Sequence, residues 1–302
     1  MPLPEPNAAF ACGRVGRNIV VIGGTNWAGG RKNWLRSVHN FDPEKLRWTT
    51  LAPLEQPLAH PVMGEFGDGM IVAGGTMGER PFTGALWMEK SRTVITRERG
   101  IATPAVLCAG GLIGDKLILV GGTDSASNPA GFRREVFSWD MRTHERSSVP
   151  LYPGPAFGVG SAAVLGDELL VFGGCRFEAS EGKVANLADA YAFSFRRNEW
   201  RTLQSMPYAV RALTSVRLDE RYAYLAGGAR NEPEGFTDAA FLYDLVTNRY
   251  WPASSLPYRA ALVGLVLEGE YVYCIAGEDR AQHRSDAVHR IKRTELLAAA
   301  SG

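Results

Sequence analysis

The sequence predicts an all-β chain folded as a six-bladed β-propeller, and three observations carry that prediction. A unit of roughly fifty residues recurs six times. Each copy contains an apolar strand that ends in a glycine pair, and each carries signals for four short antiparallel strands. The pairs close IVVIGG (Gly23, Gly24), MIVAGG (Gly74, Gly75), LILVGG (Gly121, Gly122), LLVFGG (Gly173, Gly174) and AYLAGG (Gly227, Gly228). The sixth copy reads YCIAGE, with Ala276 in the place of the first glycine before Gly277.

Within each unit the strands follow in a fixed order. A first short strand precedes the glycine-pair strand across a tight turn, as in SAAVLGDELLVFGG and ALVGLVLEGEYVYCIAG, which is the pattern of a hairpin. A polar loop comes next, then an aromatic-rich third strand such as DAYAFSF or AAFLYDL, then a turn and a fourth strand that carries Trp48, Trp200 or Trp251 in three of the copies. A lone four-stranded sheet leaves apolar faces exposed, so repeats of this size stack radially and cover one another. The glycines allow φ > 0 and close approach of neighbouring blades. After the sixth third strand, AVHRIKR, the outer strand is expected to be short or built from TELLAAA. The opening MPLPEP resembles the proline-containing links SMPYAV and SLPYRA that follow a fourth strand elsewhere.

At 302 residues, 45% hydrophobic and 22% charged, the chain reads as one propeller domain over residues 1–302 with a substantial core. Its formal net charge of +1 gives no reason to expect nucleic acid or an anionic membrane as partner. No 18-residue apolar run occurs, and MPLPEPNAAF lacks the basic and apolar regions of a signal peptide, so a cytoplasmic protein is expected. Cys12, Cys108, Cys175 and Cys274 form no C-x-x-C pair and read as free thiols in strands. His39, His60, His144, His283 and His289 share no spacing and read as surface or strand residues. There is no P-loop, no G-x-S-x-G elbow and no H-E-x-x-H. No metal and no cofactor are expected.

The loops between second and third strands emerge on one face, around one mouth of the central channel. Each of the six carries a basic residue: Arg31, Lys32 and Arg36; Arg80; Arg133 and Arg134; Arg176 and Lys183; Arg230; Arg280 and Arg284. Convergent guanidinium groups favour an anionic ligand, because the planar fork clamps a carboxylate. Glu79, Glu135, Glu232 and Glu278 lie among them, so the face has carboxylates for proton transfer as well. Single loop arginines are equally consistent with ordinary solvated surface.

The glycine pair followed by spaced aromatic residues resembles the kelch family. Within the sixth blade, GEDRAQHRSDAV is similar to a segment of the bacterial N-acetylneuraminate epimerases (sialic acid mutarotases): Gly-Glu, five variable residues, Arg, Ser or Thr, Asp-Ala-Val. The resemblance implies Glu278 and Arg284 as the catalytic pair. GGTNWAGGRKNWLRSVHNF in the first blade also resembles a mutarotase loop, which brings Asn26, Trp27, Arg31, Lys32 and Trp34 into the candidate pocket, with Arg176 and Arg230 as further sugar-orienting candidates. The blade order matches the cyclically permuted branch of that family. The implied activity is interconversion of the anomers of N-acetylneuraminate or a related acidic sugar by acid/base ring opening. The alternative is a non-enzymatic kelch propeller that binds a protein or glycan through Trp27, Trp34, Phe82 and Phe132. Under it, Glu278 and Arg284 would form an exposed salt bridge within their loop.

Overall fold

In the computed structural model, the described residues are 1–89, 95–98 (backbone only), 106–231 and 233–300. Glu232 lies outside them. Among the described residues six blade sheets form, each running outward from its first strand, together with three two-stranded ribbons. The first blade is typical, with Ala11–Val15, Asn18–Ile22, Val38–Asp42 and Arg47–Thr50 paired in that order. Trp48, Trp200 and Trp251 all fall in fourth strands, as the repeat predicts. The inner strands Ala11–Val15, Val62–Phe66, Ala109–Ile113, Ser161–Leu165, Thr214–Arg217 and Gly264–Glu268 each contact the inner strands on both sides, and the last contacts the first. The chain is a closed six-bladed β-propeller.

Apolar alternation drives this closure. The residues of each sheet that face a neighbour are buried with that neighbour's facing set. Between the sixth and first blades, for example, Ile19, Val21 and Phe41 pack with Val266, Tyr273 and Ile275. The glycine pairs matter where links cross them. Gly23 has φ +65°, and a Cβ there would lie 2.1 Å from the Leu58 carbonyl oxygen. Ala276 takes up the same left-handed conformation at φ 52°, so the irregular sixth copy keeps the backbone path of the others.

The links repeat a hydrogen-bond signature. In the first blade Leu54 N–H donates to Arg36 O, Leu58 N–H to Leu35 O, and Gly24 N–H to Leu58 O. In the fifth the same three bonds are Leu256 to Asp238, Ala260 to Thr237, and Gly228 to Ala260. In the sixth they are Leu3 to Asp286 at 2.7 Å, Asn7 to Ser285 at 3.0 Å, and Gly277 to Asn7 at 2.8 Å. Residues 3–7 therefore act as the link from the sixth blade into the first, in agreement with the likeness of MPLPEP to the internal links. By this alignment Arg211 of the link after the fourth blade occupies the position of Ala261, and Arg259 of the link after the fifth that of Ala209.

The sixth sheet has three strands, Gly264–Glu268, Tyr271–Arg280 and His283–Lys292. The expected outer strand from TELLAAA is replaced by a helix, Arg293–Leu297, and a 3-10 turn, Ala298–Ala300. Glu, Leu and Ala are strong helix formers, and the stretch has only one β-branched residue. The helix buries Leu296 completely among Leu218, Tyr224 and Leu256 of the fifth blade and its link.

Each link ends in one residue with positive φ just before the inner strand: Ala9, His60, Leu107, Val159, Ala212 and Leu262, all between 54° and 61°. Backbone N–H groups tie several of these into a belt around the channel, from His60 to Ala9 O (2.8 Å), Val159 to Leu107 O (2.9 Å), Ala212 to Val159 O (2.8 Å) and Leu262 to Ala212 O (3.0 Å). The left-handed conformation costs each residue about 1–2 kcal/mol, and the belt bonds offset part of that.

All four cysteines are free. Cys12, Cys175 and Cys274 lie in strands, whereas Cys108 falls just before one. No helix among the described residues is long and apolar enough to cross a membrane.

Leu3 is 1% exposed and belongs to the core between the sixth and first blades. Leu3→Ala is expected to destabilise the protein by about 2–5 kcal/mol, measured as a lowered midpoint of chemical denaturation. Met1→Ala, at a residue 59% exposed, should move the midpoint by less than about 0.5 kcal/mol.

Candidate functional site

The hairpin that carries Glu278 and Arg284 differs from its five counterparts. Its strands continue past the glycine position to Arg280 and His283, with register shifts at Ile275/Gly277 and Gly277/Arg280. Glu278 is fixed by two backbone bonds to Ala261, N–H to O at 2.8 Å and O to N–H at 2.9 Å. The equivalent bridged positions in the other blades are Thr25, Thr76, Thr123, Cys175 and Ala229. A carboxylate stands only at the sixth.

Arg284 Nη1 lies 2.9 Å from Glu278 Oε1 and donates to the His283 carbonyl at 3.1 Å. The arginine is 7% exposed, and its Nε is buried without a partner. The pair is thus not a salt bridge on an open loop. A guanidinium taken this far from water is costly unless compensated, and among the described residues Glu278 is the sole carboxylate in ion-pair contact with it. His283 and Asp279 brace the hairpin tip through an Nδ1–Oδ1 contact of 2.5 Å.

Lys32 reaches the same place from the first blade. It sits on the ribbon Thr25–Ala28 and Arg31–Trp34, directly opposite Trp27 in register. Residues opposite one another in an antiparallel ladder share a face, so Trp27, Lys32 and Trp34 lie on one face and Asn26, Arg31 and Asn33 on the other. Lys32 Nζ stands 4.4 Å over the Trp34 ring. Although the side chain keeps solvent access at the rim, desolvation lowers its pKa from the ordinary lysine value, and the nearby charge of Arg284 lowers it further. Glu278 and Glu79 act in the opposite direction. Asn26 Oδ1 accepts from Asn33 Nδ2 at 3.0 Å on the other ribbon face.

Other basic loop residues are engaged at home. Arg176 is bonded to Glu178 at 2.6 Å, Lys183 to Glu181 at 2.7 Å, and Arg133 to Asp124. Arg230 packs over the Tyr208 ring at 4.4 Å, with Glu234 3.9 Å away. Lys32 and Arg284 come together at the mouth, whereas Arg133, Arg176, Lys183 and Arg230 are held in their own loops, where an acid two to nine residues away stands against each cation.

His60 joins the cluster and departs from the sequence expectation of a surface or strand residue. It lies in the belt of left-handed link residues, where burial lowers its pKa to about 3, with the charges of Lys32 and Arg284 contributing. Glu79, on the second blade, completes the charged surroundings of Lys32. On the fifth-blade side, Arg211 Nη1 donates to Asn186 Oδ1 at 2.7 Å. A separate groove of about 690 Å³, lined by Phe66, Trp87, Asp115 and Arg142 among others, lies at the opposite ends of the second and third blades. It touches none of these groups. At the far ends of the inner strands of the sixth, first and second blades, Arg14 is bidentate to Glu65 at 2.8 and 2.6 Å and lies 3.6 Å from Glu268.

The Kelch motif model matches residues 6–55 and 160–207. These segments are the first and fourth blades. It is also similar to the N-acetylneuraminate epimerase of Salmonella enteritidis PT4, 26% identical over 172 residues, covering 46% of this chain and 44% of that protein. The proteins of the same name from Salmonella paratyphi B and Salmonella typhimurium are each 25% identical over 174 residues, covering 46% of this chain and 45% of theirs. The match spans under half the length of these relatives.

Two substitutions test the electrostatic coupling at the mouth. Because Arg284 depresses the Lys32 pKa and Glu278 supports it, Arg284→Gln should slow acylation of Lys32 near pH 8.5 and Glu278→Gln should accelerate it. Competitive labelling read by peptide mass spectrometry, with Lys45 as exposed reference, measures both.

Proposed function

We propose that this propeller is a mutarotase that interconverts the anomers of N-acetylneuraminate or a related acidic sugar. The observation that carries the reading is the Glu278–Arg284 pair, a carboxylate and a buried guanidinium 2.9 Å apart, with Lys32 beside them and in ion-pair contact with no carboxylate among the described residues. The similarity to proteins named N-acetylneuraminate epimerase supports the substrate class.

The chemistry asked of the site is modest. In the cyclic hemiketal, a base takes the proton of the anomeric hydroxyl, the bond between the anomeric carbon and the ring oxygen breaks, and the ring oxygen takes a proton. The resulting ketone rotates and recloses on its other face by the reverse steps. No oxidant, metal or second substrate enters the balance. Glu278 serves as base and then as acid, a role worth about 10²–10⁴-fold in rate. The side of the Arg284 guanidinium turned from Glu278, together with Lys32, pairs with the sugar carboxylate. Trp27, on the Lys32 face of its ribbon, offers an apolar ring face, and Asn26, Arg31, Arg176 and Arg230 contribute at most from the periphery.

A protein-binding face is less well supported. Phe82 is 4% exposed and belongs to the core between the first two blades. A Cβ on Gly158 would lie 2.3 Å from the Phe132 ring, which places that ring against the link backbone. The exposed large apolar residues, Met1, Leu46, Leu151 and Val246, are scattered in sequence and are not the buried aromatic anchors of a hot spot.

Wild type is expected to accelerate α/β exchange of N-acetylneuraminate in NMR exchange spectra, and Glu278→Gln to lose about 10²–10⁴-fold of that acceleration while keeping its circular dichroism. Exchange at the uncatalysed rate with folded wild type, or full activity in Glu278→Gln, would contradict the assignment.

A further inference from the structure

We propose that His60 is a ligand-contacting specificity residue that reads a hydroxyl group of the bound acid from the channel side of the mouth. The inference rests on the acidic-sugar reading above. It begins with the belt of six left-handed link residues. Five of the six are apolar, namely Ala9, Leu107, Val159, Ala212 and Leu262, and only the second blade places a polar ring there. The His60 side chain makes no hydrogen bond among the described residues, and the residue is half-buried, so its polar ring is left for whatever enters the channel mouth.

The backbone of His60 is satisfied, with its N–H bonded to Ala9 O at 2.8 Å, so the belt needs nothing from the imidazole. Leucine fills the same slot in the third and sixth blades at φ 61° and 54°. His60 directly follows Ala59, which bridges Thr76 as Ala261 bridges Glu278, and its N–H bonds Ala9 O, next to the Ala8–Thr25 bridge at the foot of the Lys32 ribbon, so the ring stands at the level of the candidate pair, where the charges of Lys32 and Arg284 act on it.

The protonation state sets the kind of partner. With its pKa lowered to about 3, the ring is a neutral imidazole, one nitrogen a donor and the other an acceptor. A carboxylate only accepts and is better served by Arg284 and Lys32. A hydroxyl both donates and accepts, which suits a polyhydroxylated acid. A site built to bond a hydroxyl discriminates strongly against analogues that lack it, because its own polar group is then left unpaired.

The test is calorimetry of wild type, His60→Leu and His60→Asn with N-acetylneuraminate, D-glucuronate and D-galacturonate. Asparagine tolerates the left-handed conformation and keeps one donor and one acceptor. For the acid that binds wild type best, His60→Leu should bind about tenfold more weakly and His60→Asn within about threefold of wild type, with all three proteins showing similar thermal midpoints. Unchanged affinity in His60→Leu overturns the assignment, as does equal loss in both variants, which would mark a packing role. If none of the acids binds folded wild type, the acidic-sugar reading fails and the His60 assignment falls with it. Binding to wild type with no effect of His60→Leu removes the His60 assignment alone.

Discussion

A ring of blades has one joint that the continuous chain does not make, and here residues 3–7 make it by adopting the hydrogen bonds of an internal link. Their partners are Asp286, Ser285 and Gly277. Two of these directly flank the candidate pair, since Gly277 precedes Glu278 and Ser285 follows Arg284. The contact that closes the propeller therefore also clamps the hairpin carrying the proposed chemistry. Leu3 adds apolar burial to the joint. Glu5 adds a polar tie, with its Oε1 3.2 Å from His39 Nε2 and also accepting from Ser37 Oγ, and these bonds hold the Glu5 carboxyl below its ordinary pKa.

The same joint accounts for the electrostatics of the mouth. Arg284 is sunk beside the closure at 7% exposure, and one carboxylate does not exhaust its five N–H donors. Lys32 brings a second cation into the same space without a carboxylate in ion-pair contact among the described residues. An anion entering the mouth would relieve both, which is the physical basis of the proposed preference for an acidic sugar. In the third, fourth and fifth blades the loop cations Arg133, Arg176, Lys183 and Arg230 already stand against acids of their own loops. The belt of left-handed residues fixes the floor by backbone bonds alone and leaves the side chains free to vary from blade to blade.

Much of this was readable from residue order. The glycine pairs at regular intervals give the blade number, and alternation gives the strands. The likeness of MPLPEP to the internal links gives the closure. The Glu278 and Arg284 positions rest on the motif GEDRAQHRSDAV, and the structure adds that Arg284 is buried. The terminal TELLAAA was open to a correct reading too, since its composition favours a helix over a strand. The faces of the first-blade ribbon were harder to read. Trp27 and Lys32 are separated from Asn26 and Arg31 only once the turn at Gly29 and Gly30 sets the register. His60 had no sequence signal of its own, because its meaning comes from a belt position that the other blades fill with unremarkable apolar residues.

The most direct test of the central claim is a crystal structure of the protein soaked with N-acetylneuraminate. The account predicts the sugar in the mouth shared by the sixth, first and second blades, its carboxylate against the Arg284 guanidinium and Lys32 Nζ, and its anomeric carbon facing Glu278. Sugar density in the groove beside Phe66 and Trp87, with the Glu278–Arg284 mouth holding only solvent, would contradict it.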